Sequence, residues 1–137
     1  MIGNSPLSQG LCVRCTAEMP RAINHLLEQM RGAGFSDKDQ FGMRLALEEA
    51  IVNAIKHGNR SDPCKQVAIR YQLNEQQILL EIEDEGPGFD PDGLPDPLSP
   101  ENLERPGGRG VFLIRHYTSW VQYNEKGNCV TLCKKLA

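Results

Sequence analysis

Glu49-Ala50-Ile51-Val52-Asn53-Ala54-Ile55-Lys56-His57-Gly58 is the stretch that decides how the rest of the chain reads. It closes a helical pattern that opens at Ser36, a good N-cap, with Asp37 and Asp39 near the positive end of the helix. The pattern runs to about His57, where Gly58-Asn59 supplies a left-handed stop. Glu49, Asn53 and His57 stand at i, i+4 and i+8, so they form one polar stripe. Phe41, Leu45 and Val52 flank it on one side, and Ala46, Ala50 and Ala54 on the other. A helix apolar on both flanks is a buried one. A carboxylate and an amide between those flanks then suit a site: an amide oxygen with phosphate oxygens suits Mg²⁺, and a neighbouring Glu suits a general base. The plainer alternative is a solvent-facing stripe on a partly exposed helix. His57 suits the negative end of the helix dipole better than a metal.

Upstream, Leu11 to Thr16 reads as a short strand, and Pro20 opens a helix carrying Ile23, Leu26, Leu27 and Met30 that Gly32 and Gly34 end. Downstream, Val67, Ile69, Tyr71 and Leu73 share one face of a strand. Ile78, Leu80 and Ile82 share one face of the next, with a turn near Asn74-Glu75 between the two. Asp84 has the parity of Ile82, which aims it at the core side of the sheet. A carboxylate there must be paired, since burying it alone is costly. A ligand amine reaching it from a pocket would satisfy it, and Gly86-Pro87-Gly88 would let that ligand lie against bare backbone. The alternative is a strand that ends before Asp84 and leaves it solvated.

From Gly86 to Gly110 the chain holds six of its nine prolines and six of its thirteen glycines, so no long regular element survives there. Such a loop inside a domain is a lid, a binding loop or an inserted disordered segment. It ends at Gly107-Gly108-Arg109-Gly110, which leads into a short helix to Tyr117 and presents backbone N–H groups to an anion. No Gly-Lys-Ser/Thr follows, so this is not a Walker A loop. Residues 119 to 123 and 128 to 134 close the chain as a hairpin around Lys126-Gly127. Hairpin-linked strands with segregated helices predict an α+β two-layer sandwich.

The chain has 137 residues, a net charge of −3 and 39% hydrophobic residues, the profile of one domain spanning 1–137. No apolar run reaches the ~18 residues of a membrane span, and the N-terminus lacks a secretion signal, which predicts a cytoplasmic protein. A sequence pI near 5.6 argues against direct nucleic-acid binding. The charge is unevenly spread. Residues 81 to 104 hold nine of the eighteen acidic residues and no Lys or Arg, leaving the other 113 with 15 basic against 9 acidic groups. Five cysteines fit a disulfide framework poorly. Cys12 and Cys15, with Cys129 and Cys133, would hold zinc only if their segments adjoined. Both pairs fall in expected strands that send Cys12 and Cys15 to opposite faces, so they read as small core and surface residues.

Taken in order, Glu49-xxx-Asn53, Asp84-x-Gly86-x-Gly88 and Gly108-x-Gly110 resemble the N, G1 and G2 boxes of the GHKL ATPase superfamily. The resemblance covers roughly residues 36 to 137 and implies the Bergerat fold, a mostly antiparallel mixed sheet with helices on one face and a lid at about 89–107. Within the superfamily, Glu49 to Gly58 looks most like the anti-sigma-factor serine kinases, which are single short domains of this size. The strand and helix before the N box are similar to theirs, as is Glu104-Arg105 before the glycines. An orphan histidine-kinase catalytic domain fits less well, because no phosphoacceptor helix pair precedes the domain.

That resemblance implies ATP and Mg²⁺ as cofactors. Asp84 would accept the adenine amine, with Gly86 and Gly88 leaving room for the base. Asn53 would hold Mg²⁺, Glu49 would act as general base on a serine or threonine, and Gly108, Arg109 and Gly110 would line the triphosphate. Lys56 and Arg105 are further phosphate candidates. The implied partners are an anti-sigma-factor antagonist of the STAS type, which would be phosphorylated, and a sigma factor, with a homodimer as a further assembly. The alternative function is a partner-switching module that binds nucleotide without transferring phosphate. One departure is visible: the superfamily commonly has Gly-Thr near the last strand, whereas here Gly127 is followed by Asn128 and Cys129, and Thr131 comes later. The acidic lid is expected to face outward, with Arg105 and Arg109 turned toward the phosphates.

Overall fold

A computed structural model describes residues 9–86 and 108–136. Five strands form one sheet in the order β1 (Gln9–Val13), β2 (Val67–Leu73), β3 (Gln77–Glu83), β5 (Cys129–Lys135), β4 (Trp120–Tyr123). Each neighbouring pair is antiparallel. Helices α1 (Met19–Gly32), α2 (Asp37–Val52) and α3 (Gly108–Tyr117) complete the two layers.

The period-two reading of the strands holds. Val67, Ile69 and Tyr71 of β2, Ile78, Leu80 and Ile82 of β3, and Val130 and Leu132 of β5 are buried. Ile23, Leu26 and Met30 of α1 and Met43, Leu47 and Ile51 of α2 are buried with them. Each fully buried Leu or Ile contributes about 1.5–3 kcal/mol relative to exposure. Among the described residues the opposite sheet face has no such layer. It presents Arg70, Glu81, Glu83 and Thr131, all half-buried, and the exposed Trp120, whose register partner is Cys133.

Local signals explain the boundaries. Ser36 Oγ accepts the Asp39 N–H at 3.1 Å, which caps α2 as its sequence predicts. Gly34 adopts φ 101°, with Gly34 N–H on the Arg31 carbonyl and Phe35 N–H on the Met30 carbonyl, both at 3.1 Å. That is a Schellman stop, completed by the buried Phe35 side chain. In the last hairpin, Asn124 Oδ1 accepts from Gly127, Asn128 and Cys129 N–H groups, and Gly127 takes φ 80°.

Two expectations shift. The first strand spans Gln9–Val13 instead of Leu11–Thr16, because the Glu18 carboxylate takes the Arg14 N–H at 2.7 Å and the chain turns into a 3₁₀ segment at Thr16–Glu18. The second helix does not stop at a left-handed Gly58-Asn59. After Val52 it widens into a π-turn over Asn53–Gly58, closed by Asn59 N–H on the Ala54 carbonyl at 2.8 Å. The left-handed residues are Arg60 (φ 53°) and Ser61 (φ 57°), a conformation costing about 1–2 kcal/mol per residue.

The cysteines occupy separate places. Cys12, Ala68, Glu83 and Cys129 stand in one row across β1, β2, β3 and β5. Cys12 and Cys129 are thus three strand spacings apart, roughly 14 Å, far beyond the reach of one zinc ion. Cys15 lies past the end of β1 and not within a strand. Burial and the nearby Glu83 and Glu81 carboxylates push the Cys129 thiol up to about 11. At pH 8 roughly one Cys129 in a thousand is then ionised. Iodoacetamide labelling followed by peptide mass mapping should modify exposed Cys12, Cys15 and Cys64 well before Cys129.

Candidate functional site

Asp84 is the first residue past β3, and its surroundings are built from three separate segments. The β3–β5 register pairs Glu83 with Cys129. One step further, Asp84 N–H donates to the Asn128 carbonyl at 2.9 Å, and Asn128 Nδ2 donates back to the Asp84 carbonyl at 3.3 Å. Oδ1 of Asp84 accepts the Gly86 N–H at 2.7 Å. The half-buried carboxyl group lies against Gly58, at the end of the π-turn that continues α2. Its inward parity is therefore real, and the carboxylate faces the helix layer. Burial raises its pKa above the ordinary aspartate value, partly opposed by the Gly86 hydrogen bond and by Lys126 and Lys65.

Gly58 and Gly86 are fixed by closeness. A Cβ on Gly58 would overlap the Asp84 carboxylate, and one on Gly86 would overlap the Gly58 carbonyl. Neither overlap can be relieved by a flexible side chain tip, since the Gly58 obstacle to Gly86 is backbone and the Asp84 head is held at Oδ1. Gly58→Ala should therefore displace the carboxylate while leaving the sheet intact. A carbon-detected carboxyl spectrum should then show the Asp84 signal moved, with far-ultraviolet circular dichroism unchanged.

Asn53 opens the π-turn, and Glu49 stands one turn earlier on α2; both are half-buried, while Lys56 and His57 are exposed. A π-turn inside a helix is rare and often marks a functional site. Here it carries the chain from the polar stripe to Gly58 and so to Asp84. An amide oxygen with a carboxylate one turn away is a hard-oxygen donor set that fits Mg²⁺ alongside phosphate oxygens. The sequence-expected Gly108, Arg109 and Gly110 form the first turn of α3. That helix packs along α2, with Tyr117 against Gly42, so a Cβ on Gly42 would press on its ring. Gly88, Arg105 and most of the acidic loop lie outside the described residues.

The described part of the acidic stretch divides by strand parity. Glu81 and Glu83 bind Arg70 at 3.1 and 3.0 Å on the sheet face away from the helices. The Glu85 carboxylate accepts the Gln66 N–H at 2.7 Å. Only Asp84 among these four turns toward the helix layer. Thr131 is in register with Glu81 and Gln122, and it lines a cleft of about 370 Å³ on the Arg70 face. It is therefore no partner for the Asp84 carboxylate. The position after Gly127 is Asn128, which holds the main chain of Asp84 instead. Asn128, Asn59 and the close approach at Gly58 are the parts that motif spacing does not reveal.

Residues 14–134 match the family model described as histidine kinase-like ATPase domain. The chain belongs to that family. Proteins similar to it include the serine-protein kinase RsbW of Staphylococcus epidermidis, 30% identical over 110 residues, covering 74% of this chain and 69% of the relative. The serine-protein kinase RsbW of Listeria innocua is 29% identical over 109 residues, with the same coverage. As a histidine kinase-like ATPase domain, the chain has the α+β fold expected of it. No helix among the described residues is long and apolar enough to cross a membrane.

Proposed function

We propose that the chain is an ATP-dependent serine/threonine protein kinase acting as an anti-sigma factor. Its protein substrate is an anti-sigma-factor antagonist of the STAS type, and its client is a sigma factor held or released by partner switching. The observation that carries this reading is the half-buried Asp84 carboxylate against Gly58, at the end of the helix bearing Glu49 and Asn53. The names of the RsbW relatives support the serine acceptor.

In this reading Asp84 accepts the exocyclic amine of adenine through the oxygen that Gly86 leaves free. Asn53 would hold Mg²⁺, which supplies charge neutralisation on the phosphates. The α3 N-terminus at Gly108-Arg109-Gly110 presents backbone N–H groups to the phosphate oxygens. Lys56, Arg105 and Arg109 supply further positive charge, and Gly88 leaves space beside the base. Glu49 takes the proton of the acceptor hydroxyl as its oxygen bonds to the γ-phosphorus. The bond from that phosphorus to the bridging oxygen breaks, and ADP leaves with its electron pair. Such transfer needs mainly positioning and charge neutralisation, which these groups provide.

Incubation with γ-labelled ATP, Mg²⁺ and a purified anti-sigma-factor antagonist of the STAS type from the same organism tests the proposal. Label on a serine or threonine of the antagonist is expected. ATP binding without label transfer would instead make the chain a nucleotide-responsive binding module.

A further inference from the structure

The end of α2 and the turn at Asp84 are joined by a residue that neither the motifs nor the proposed chemistry uses. Asn59 is 2% exposed, and it is the one buried polar residue among the described ones. Its N–H closes the π-turn on the Ala54 carbonyl at 2.8 Å, and its own carbonyl accepts the Asp62 N–H at 3.1 Å. Its side-chain Oδ1 accepts the Glu85 N–H at 2.7 Å, across 26 positions of sequence. Glu85 is tied a second time to the same connection, because its Oε2 takes the Gln66 N–H at 2.7 Å.

We infer that Asn59 is a positioning residue for base selection, holding the Asp84–Gly86 turn at a fixed distance from the end of α2. The inference rests on the reading of Asp84 as the adenine acceptor. Asp84 is clamped from both sides: Asn128 holds its N–H and carbonyl, and Asn59 holds the next N–H in the chain. With both clamps in place, the carboxylate has little freedom beyond its own side-chain rotation. A carboxylate accepts from the amine of adenine and repels the carbonyl oxygen that guanine carries at that position. How strongly the two bases are distinguished depends on how closely the carboxylate is held, because a site that shifts accommodates either. The Asn59 bond also joins the turn that would read the base to the helix whose Asn53 would serve the phosphates, so both ends of one ligand would be gauged by one connection. The two residues that follow, Arg60 and Ser61, take left-handed φ values of 53° and 57°.

The test compares ATP and GTP affinities by calorimetry for the full chain, Asn59→Ala and Asn59→Asp, with thermal melts alongside. Asn59→Ala removes the acceptor for the Glu85 N–H and should lower the ATP-to-GTP affinity ratio by about tenfold. Asn59→Asp keeps an oxygen acceptor and should retain most of the ratio. A purely structural role would lower the melting temperature of Asn59→Ala and leave the ratio alone, and that outcome overturns the inference. Should neither variant fold, amide exchange on the unaltered protein decides it. The Glu85 N–H must be protected before nucleotide is added, and rapid exchange there overturns the inference. A parent chain that binds GTP as well as ATP while protecting the Glu85 N–H would overturn the Asp84 reading instead, and with it the selective role assigned to Asn59.

Discussion

Replacing Glu49 by glutamine is expected to leave ATP binding intact and to slow phosphoryl transfer by about 10²–10⁴-fold, the usual contribution of a positioned general base. In barrier terms this is about 3–5 kcal/mol. Glutamine has nearly the shape of glutamate and keeps an oxygen in place, but it cannot take the proton of the acceptor hydroxyl. The position suits a base because it is fixed: Glu49 sits on α2 beside buried Ala46 and Ala50, and not on a loop. It is also only half-buried, so an acceptor side chain can reach it. Single-turnover label transfer, with calorimetry on the same samples, separates the two effects. Equal transfer rates for the variant and the parent chain would remove Glu49 from the chemistry.

The second large effect is expected at the other end of the site. Asp84→Asn should weaken ATP binding roughly a hundredfold, from loss of a charge-assisted hydrogen bond and the juxtaposition of two donor groups. Equal heats of binding would refute the adenine contact. The protonation behaviour offers an independent check. Burial raises the Asp84 pKa in the free protein, so the folded state holds the proton more readily than the unfolded chain does. Stability from this group is therefore lost as pH rises through the window between the ordinary and the raised value. A bound amine favours the charged carboxylate, so ATP should lower the Asp84 midpoint and release protons across that same window. A carbon-detected carboxyl titration with and without ATP reads this directly, and an unchanged midpoint would argue against contact.

Most of the architecture was legible because strand parity and helix capping are local. The alternation in Val67–Leu73 and Ile78–Ile82, the Ser36 cap and the Gly34 stop each depend on a few neighbouring residues, and each is found where expected. Asp84 was legible for the same reason, since parity alone aims it inward. What was not legible depends on contacts between distant segments. Gly58 reads locally as a helix stop, yet its φ is not left-handed, and its size is set by the Asp84 carboxylate arriving from β3. Asn59 and Asn128 have no periodic signature, because their partners lie 26 and 44 positions away. The position after Gly127 holds Asn128, whose bonds go to the main chain of Asp84 and not to its carboxylate. Parity also turns Glu81 and Glu83 away from Asp84, but their shared partner was not legible, because Arg70 reaches them from the neighbouring strand.

Trp120 gives the molecule an optical consequence. It is the one tryptophan of the chain, 41% exposed, and its register partner Cys133 puts it on the sheet face opposite the helices. Intrinsic emission excited at the red edge thus comes from a single fluorophore on the side of the sheet away from Asp84. A ligand bound at Asp84 would lie across the sheet from that ring and leave its emission unmoved, whereas a molecule that covers the Arg70 face would dry it and shift its emission to the blue. Titrating a candidate partner in the presence and absence of ATP would then report which face it takes, with no label attached to the protein.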